Sequence, residues 1–306
     1  MNPRTLFVSK ASHHHITMKY ILKLTVLYAV LCASKSNAQG AGSASLWGSG
    51  NWSGQAYSAT GGIRCGTGAD TGASSGAFGY ETYAAGNASF VFGDRSSAMG
   101  SNSTAFGAFS SARGTYSFVQ GYSAYAWGES SIAMGQSATA HDWMSRAFGY
   151  QSVAGDADPN INASHSYAFG SQSLAKASNA VALGASSQAM GASSSAIGLS
   201  SIASGVSAVS LGASSTASGN QSTAIGEGSK ALALHSVAVG PFPVARGNPT
   251  TWGNTDPVFT VANGQSDSAR SNAVVVLKSG AVLVKPAGDL SMGSFTAGIR
   301  PDDTTP

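Results

Sequence analysis

The chain has 306 residues, of which only 9% are charged and 42% are hydrophobic, and it contains 39 glycines. Disordered chains usually carry many charges and few apolar groups, so this composition argues against a disordered chain. The composition alone does not exclude a flexible Ser/Gly-rich linker. The formal net charge is +3, but five of the 16 basic residues and none of the 13 acidic ones lie in residues 1–38. The rest of the chain is slightly acidic, and a basic face for nucleic acid is not expected.

Residues 1–38 have the features of a secretory signal peptide. An apolar run from Tyr20 to Ala33 follows Lys19, and Ser36-Asn37-Ala38 places small residues before an expected cleavage after Ala38. The run is shorter than the roughly 20 residues that a membrane-spanning helix needs. Met18 is an alternative start of translation. We therefore expect an exported protein, either secreted or held at the cell surface or outer membrane.

The cysteines and the histidine triplet near the start point to no chemistry. Cys32 follows Leu31, where a lipid-anchor signal needs a small residue, so lipidation is not expected. Cys65 is then the single cysteine beyond the signal, which excludes an intramolecular disulfide and leaves a free thiol or an interchain bridge open. His13-His14-His15 precede the signal, and no metal role is expected for them.

Residues 75–247 form an internal repeat. A glycine preceded by an apolar residue returns at every fourteenth position, except that the step from Gly149 to Gly170 is lengthened by a seven-residue insertion around Gly155–Ile161. Five positions after each of these glycines stands an alanine, in all twelve units. A linker has no reason to keep this register, so the pattern predicts a folded repeat. The repeated glycines are Gly79, Gly93, Gly107, Gly121, Gly135, Gly149, Gly170, Gly184, Gly198, Gly212, Gly226 and Gly240.

The residues before each repeated glycine alternate in character. The residue directly before it is large and apolar in eleven of the twelve units, with Gln120 as the exception. Two positions before the glycine the residue is mostly alanine, and three before it is often β-branched or aromatic, as in Phe90, Ile132 and Val181. Alternation with period two predicts a short strand with two different faces. A helix is not expected, because the apolar spacing is wrong and glycine is too frequent.

One 14-residue unit is long enough for one coil of a solenoid, with two strands of about five residues and two turns of about two. A second glycine recurs seven positions after the first in eight units, which predicts two similar corners in which glycine supplies the turn conformation and serine bonds the turn backbone. If the repeated alanines point inward, the interior is narrow and the larger residues point outward.

The outward residues directly before the repeated glycines predict self-association. A contiguous apolar row cannot face water over many coils. An interior lined by alanine also recovers little of the roughly 1–2 kcal/mol per residue that ordering the backbone costs. We therefore expect an obligate homo-oligomer that buries this row. The interface candidates are Phe92, Phe106, Phe148, Phe169, Leu183, Ile197, Leu211, Ile225 and Val239.

Several units resemble a known family. The segments Ser194–Ser201 (SSAIGLSS), Gln221–Ser229 (QSTAIGEGS) and His235–Gly240 (HSVAVG) are similar to the head repeat of the YadA-like trimeric autotransporter adhesins, close to N-S-V-A-I-G-x-x-S. The resemblance implies an all-β fold, a left-handed parallel β-roll in which three chains pack side by side with the apolar row at the centre. Handedness and the number three come from the family alone.

The flanks of the repeat are expected to cap it, because the last coil of a solenoid exposes unpaired backbone. Residues 248–306 form the C-terminal segment, with strands expected at Val258–Val261 and Ala273–Leu277 and a turn at Lys278–Gly280 leading to Ala281–Val284. Residues 39–74, with their Trp-containing stretch, are the N-terminal cap or linker. A heptad stalk and a run of strands for an outer-membrane anchor, which the family has, are not recognised in the sequence.

The sequence contains few patterns typical of enzymes, and neither a cofactor nor a metal is expected. Gly72–Gly76 (GASSG) fits G-x-S-x-G, but a Ser/Gly-rich chain matches this by chance. His141, His165 and His235 are expected at turns of different coils. Asp156, Asp158 and Asn160 have the spacing of the start of a calcium loop, but Ile161 and Tyr167 stand where Gly and Glu would be needed, so a polar loop is favoured.

The resemblance implies an adhesin head that attaches, without catalysis, to extracellular matrix proteins such as collagen or fibronectin, or to cell surfaces. The residues Ser236, Val237, Ala238, Val239 and Gly240 match the family motif and carry over as part of a binding surface, although a coil needs the same residues merely to fold. Repetition would add avidity. The alternative is a structural fibre, such as a phage-like tail fibre, against which the signal peptide argues.

Overall fold

The computed structural model describes residues 63–65, 69–72, 74–158 and 163–284. It divides into two compact units, Met1–Ser123 and Ala124–Pro306. Within these residues the secondary structure consists of strands joined by turns, as the period-two pattern predicts. Among them there is no helix long and apolar enough to cross a membrane.

The first unit is a parallel solenoid with two sheets. Its long-strand sheet has the order β1-β3-β5-β7-β9, and its short-strand sheet, made of two-residue strands, has the order β2-β4-β6-β8. Here the strands are β1 (Ile63–Cys65), β2 (Asp70–Thr71), β3 (Gly76–Tyr80), β4 (Tyr83–Ala84), β5 (Phe90–Asp94), β6 (Ser97–Ala98), β7 (Thr104–Ala108), β8 (Ser111–Ala112) and β9 (Phe118–Gln120).

The second unit repeats this plan with shorter strands. Odd-numbered strands from β11 to β25 form its long-strand sheet, and even-numbered strands from β10 to β24 form its short-strand sheet. The strands are β10 (Tyr125–Ala126), β11 (Ile132–Met134), β12 (Thr139–Ala140), β13 (Arg146–Phe148), β14 (Val153–Ala154), β15 (Tyr167–Phe169), β16 (Leu174–Ala175), β17 (Val181–Leu183), β18 (Gln188–Ala189), β19 (Ser195–Ile197), β20 (Ile202–Ala203), β21 (Val209–Leu211), β22 (Thr216–Ala217), β23 (Thr223–Ile225), β24 (Lys230–Ala231) and β25 (Val237–Val239).

The strand register follows the sequence period. Side chains one repeat apart lie side by side, as Phe92 with Phe106 in the first unit and Leu183 with Ile197 in the second. Across the insertion the repeat is longer, and Phe148 still pairs with Phe169. The insertion between β14 and β15 therefore does not shift the register of the sheet. The predicted parallel β-roll of 14-residue coils is confirmed.

The interior of each coil is narrow, as the repeated alanines predict. The alanines at the fifth position after each repeated glycine are buried from Ala84 to Ala231. Alanine also fills most middle positions of the long strands, and Val91 and Val119 are the largest fully buried side chains among the described residues. Buried serines line the corners, and Ser131 Oγ, for example, donates to the Gly128 carbonyl at 2.6 Å.

The corners contain two kinds of residue with positive φ. Eleven of the twelve repeated glycines, all except Gly93, have φ between 100° and 156°, a conformation that residues with a Cβ avoid, as predicted. The residue two positions after the repeated glycine also has positive φ and is mostly not glycine, as with Gln151 (φ 51°) and Ser186 (φ 55°). The repeated glycines are also required by close approach between coils. A Cβ on Gly93 would lie 1.6 Å from the Gly107 carbonyl oxygen.

Three strands close the second unit at its C-terminal end. The strand β26 (Pro257–Ala262) pairs parallel with β25, whereas β27 (Asn272–Leu277) and β28 (Val282–Val284) continue the sheet antiparallel. The Asn220 and Leu234 amides of the last coils donate to the Pro249 and Asn248 carbonyls, so the loop before β26 covers coil backbone. This is the predicted short capping β-structure. The predicted signal peptide, His13–His15, Cys32 and the Trp-containing stretch lie outside the described residues.

Candidate binding and assembly surface

The outer face of the long-strand sheet carries two columns of side chains in each unit. We call the column directly before the repeated glycines the apolar ladder, and the column two residues earlier the flanking column. The residue between them points inward and is buried in every described coil, as Ala182 is between Val181 and Leu183. Because side chains alternate along each short strand, all nine interface candidates lie on the outer face of the long-strand sheet of their unit, as predicted.

In the first unit this face is aromatic. Phe78 stacks on Phe92 with ring centroids 6.1 Å apart, and the flanking Phe90 lies 5.3 Å from Phe78 and 5.9 Å from Phe106. Phe106 in turn lies 6.0 Å from Phe118. The five rings cover one another in part, and Phe90 is still 36% exposed. An apolar surface that packs against this face could extend the aromatic cluster.

In the second unit the ladder is mostly aliphatic and less covered. Phe148 and Phe169 stack face to face at 4.9 Å. Further along, Leu183, Leu211 and Ile225 are 47%, 42% and 37% exposed, because neighbouring coils cover only their sides. Ile197 and Val239 are half-buried. An apolar row that stays partly exposed to solvent is typical of a protein–protein interaction surface.

The five residues carried over as a binding surface do not all reach the surface. The Ser236 side chain is buried, and its hydroxyl donates to the Ala233 carbonyl at 2.7 Å. Ala238 is 3% exposed, because it occupies the inward position of β25. Only Val237 and Val239 present side chains outward, and Gly240 forms the corner at φ 100°. Ser236 and Ala238 are thus structural residues in this fold.

A polar and aromatic group at a corner of the first unit was not predicted from the sequence. The Arg95 guanidinium lies 5.3 Å from the centre of the Tyr80 ring and 5.6 Å from that of Phe109, and its Nε donates to Glu81 at 3.0 Å. Hydrogen bonds from the Tyr80 hydroxyl and from Arg95 hold the pKa of the Glu81 carboxyl below its usual range. The placement of Glu81 and Arg95 one repeat apart was the available signal.

A comparison of the sequence with known protein families also identifies repeats in the solenoid. The model described as the YadA head domain repeat (2 copies) matches residues 93–117, 112–138, 162–187 and 217–242. The chain carries a YadA-like head. Among solved structures it is similar to the collagen-binding domain of the Yersinia adhesin YadA, at 23% identity over 67% of this chain and 81% of that one, with a TM-score of 0.26. No curated protein matches the chain.

His141, His165 and His235 belong to different coils of the YadA-like head. His165 and His235 occupy left-handed corner positions, and His165 packs edge-on against Trp143 at 4.7 Å. His141 follows β12 directly and is half-buried, and this burial lowers the pKa of its imidazole. His235 lies 6.3 Å from the Trp252 ring, so two of these histidines pack against tryptophan.

The insertion begins as a polar loop. Asp142 accepts a hydrogen bond from the Asp156 amide at 2.9 Å, and Asp156 accepts one from the Asp158 amide at 3.0 Å. Both carboxylates therefore bond to backbone, and Asn160 lies outside the described residues. Within the described part of the chain no group of three or more His, Cys, Asp or Glu side chains could hold a metal ion.

The G-x-S-x-G match lies at an ordinary corner of the YadA-like head. Ser74 adopts the left-handed conformation between β2 and β3. Ser75 is buried and donates to the Gly86 carbonyl at 2.6 Å. This is a strand–turn–strand corner of the solenoid rather than the strand–turn–helix that exposes a nucleophile.

Proposed function

We propose that this chain is exported, assembles into a homotrimer along the apolar ladder, and acts as an adhesin head. In this proposal it binds extracellular matrix proteins such as collagen or fibronectin, or cell surfaces, through repeated contacts without catalysis. The match to the YadA head repeat supports the adhesin role. The similar domain of the Yersinia adhesin YadA is described as collagen-binding, so collagen is the first ligand to test.

The observation that carries the proposal is the exposed apolar ladder on YadA head repeats. Leu183 and Leu211 keep more than 40% of their surface exposed in the single chain, at 47% and 42%. The interior holds almost only alanine and serine, so burial inside one coil offsets little of the cost of ordering its backbone. Burial of the ladder between copies supplies the missing apolar contact.

Assembly would also serve binding. Each weak contact of a repeated surface is multiplied when three copies present it together, so avidity exceeds the affinity of any one site. Because the coils hold their strands in a fixed register, the contacts are presented at fixed spacing. We therefore expect binding to depend on assembly rather than on one essential residue.

The test pairs assembly with adhesion. Leu183→Asp combined with Leu211→Asp places two carboxylates in the ladder, and Gln188→Asp combined with Thr216→Asp places two on the outer face of the short-strand sheet as a control. Light scattering should show trimers for the unchanged chain and the control, and smaller species for the ladder variant. Solid-phase binding to collagen and fibronectin should weaken at least tenfold in the ladder variant only.

Two results would count against the proposal. A folded monomer of the unchanged chain would exclude the assembly. If the chain assembles but shows no saturable binding to any matrix protein or cell surface, a structural fibre would be the better explanation.

A further inference from the structure

The apolar outer face does not end with the last coil. Strand β26 pairs with β25 so that Phe259 lies beside Val237 and Val261 beside Val239. The flanking column therefore continues into Phe259 and the apolar ladder into Val261. Thr260, which lies beside the inward-facing Ala238, is 5% exposed, as expected for an inward position.

The same two columns cross the change from parallel to antiparallel pairing. Opposite Phe259 on β27 lies Val276, and opposite Val276 on β28 lies Val282. Val261 is likewise followed by Val274 and then by Val284. Directly opposed residues of neighbouring strands share one face of a sheet. Six apolar side chains of β26–β28 thus extend the columns of the coils, and we call this set the terminal patch.

The terminal patch is exposed mainly at Phe259 and on β28, whereas Val261, Val274 and Val276 are half-buried. Phe259 is 38% exposed, Val282 59% and Val284 57%. On the opposite face, Val275 is 7% exposed and lines a cavity of about 230 Å³. Leu283 and Val284, the last two residues of β28, both border this cavity. The patch carries no charged side chain, so a charged partner has nothing to pair with there. Its continuity with the ladder favours the surface that is proposed to cover the ladder, namely another copy of this chain.

The patch also differs from the coils in a way that matters for alignment. Coils are about 4.8 Å apart, and Leu183, Ile197, Leu211 and Ile225 follow one another with nearly the same size and shape. Two copies shifted by one coil would make almost the same ladder contacts, so a repeating face specifies axial alignment weakly. Phe259 and the antiparallel strands β27 and β28 are not repeated along the second unit. A shift by one coil would separate them from the same residues of the other copy.

We propose that the terminal patch is an interface between copies of this chain and that it sets their axial alignment. The inference rests on the proposed assembly, and it adds that β26–β28 take part in it and remove the ambiguity of the coils.

Cross-linking at two neighbouring positions tests the contact. In a chain with Cys32→Ser and Cys65→Ser, Val284→Cys places a thiol on the patch and Leu283→Cys places one on the opposite face of the same strand. A short bismaleimide should join copies of the Val284→Cys chain and leave the Leu283→Cys chain largely unjoined. Equal joining of both, or joining of Leu283→Cys alone, would overturn the proposal.

Alignment is tested by electron paramagnetic resonance. A spin label on Gln188→Cys, in the same cysteine-free chain, should give one narrow distance distribution between copies. Adding Val282→Asp with Val284→Asp should broaden it toward longer distances, because each coil of shift displaces one label by about 4.8 Å along the axis, at right angles to the lateral separation. Leu283→Asp should leave it narrow. Val282→Ser with Val284→Ser provides a milder variant if the aspartates prevent folding.

The outcomes separate this proposal from the assembly on which it rests. If the aspartate and serine variants assemble with an unchanged, narrow distribution, alignment is set elsewhere and this proposal fails while the assembly stands. If the unchanged chain is a folded monomer, both fail.

Discussion

The two units of the solenoid share their interior and differ in their outer face. In the first unit three long strands, β3, β5 and β7, have five residues each and extend through the repeated glycine, whereas in the second unit the long strands of the coils have three. The first unit covers its outer face with phenylalanine, and the second mainly with Leu, Ile and Val. Both keep alanine and serine inside.

The difference shows which positions the coil constrains. Inward positions meet the neighbouring coils on both sides, so only small side chains fit. Outward positions meet neighbours only along their columns, so their size is free to follow the partner surface. Constant geometry inside and variable chemistry outside are thus properties of the same 14-residue unit.

The largest expected effect concerns the repeated glycines. A Cβ on Gly93 would lie 1.6 Å from the Gly107 carbonyl oxygen, and one on Gly198 would lie 2.5 Å from the Gly212 carbonyl oxygen. Gly93→Ala should therefore lower the free energy of unfolding by about 3 kcal/mol or more. Gly198→Ala, which places alanine at φ 131°, should cost about 1–3 kcal/mol. Urea denaturation measures both, and equal losses would remove this distinction between the units.

The outer face should separate folding from association. Phe106 packs on Phe90 and Phe118 of its own chain, so Phe106→Ala should lower the stability of the chain by about 1–3 kcal/mol. Leu211 is 42% exposed, so Leu211→Ala should cost less than about 1 kcal/mol in the chain and mainly weaken association. Thermal unfolding at several protein concentrations checks this. The opposite ranking at low concentration would contradict it.

Buried serines offer a smaller contrast. Ser215 Oγ contacts Ser210 Oγ at 2.6 Å and donates to the Gly212 carbonyl at 2.9 Å, so Ser215→Ala should cost about 1 kcal/mol. Ser103 Oγ is buried and has no hydrogen-bond partner among the described residues. Ser103→Ala should accordingly be neutral or stabilising. Chemical denaturation of the matched pair decides, and a comparable loss for Ser103→Ala would point to a bonded hydroxyl.

The smallest effect is a difference in acid sensitivity. Burial lowers the pKa of His141, so below pH about 6.5 the unfolded chain binds a proton that the native chain resists, and stability falls as pH falls through this window. The pKa of Glu81 is lowered by Tyr80 and Arg95, so its contribution is present above pH about 4.3 and is lost as pH falls through the native pKa. His141→Gln should flatten the profile between about pH 7.5 and about pH 5.5, and Glu81→Gln only below about pH 4.5. Identical profiles for all three chains would exclude both contributions.

Much of the fold could be predicted because the pattern is periodic and the coil is narrow. Twelve alanines in one register indicated the interior, and the longer glycine step from Gly149 to Gly170 located the insertion. The terminal strands were predicted at Val258–Val261, Ala273–Leu277 and Ala281–Val284, close to where β26, β27 and β28 lie. The corners were predicted in part, because the repeated glycines have positive φ as expected, whereas the second left-handed residue of each corner, mostly serine, asparagine or glutamine, was not predicted.

The surface was harder to predict. Alternation alone showed which residues point outward, and the interface role of the ladder stays a prediction. The motif carried over to Ser236–Gly240 did not distinguish the buried Ser236 and Ala238 from the outward Val237 and Val239. A motif records what a coil needs to fold, and burial decides which of its residues a partner can touch.

The sequence by itself determined the coil, because a 14-residue period with alanine at one position permits few other ways to pack so small an interior. Only the tertiary structure decided how residues far apart in the chain share a surface. Arg95 stacks on Phe109 and Tyr80 because the coils bring residues one repeat apart side by side. Val239, Val261, Val274 and Val284 share one column because β26–β28 reverse direction without leaving the sheet, a register set by backbone hydrogen bonds and not by any repeat in the sequence.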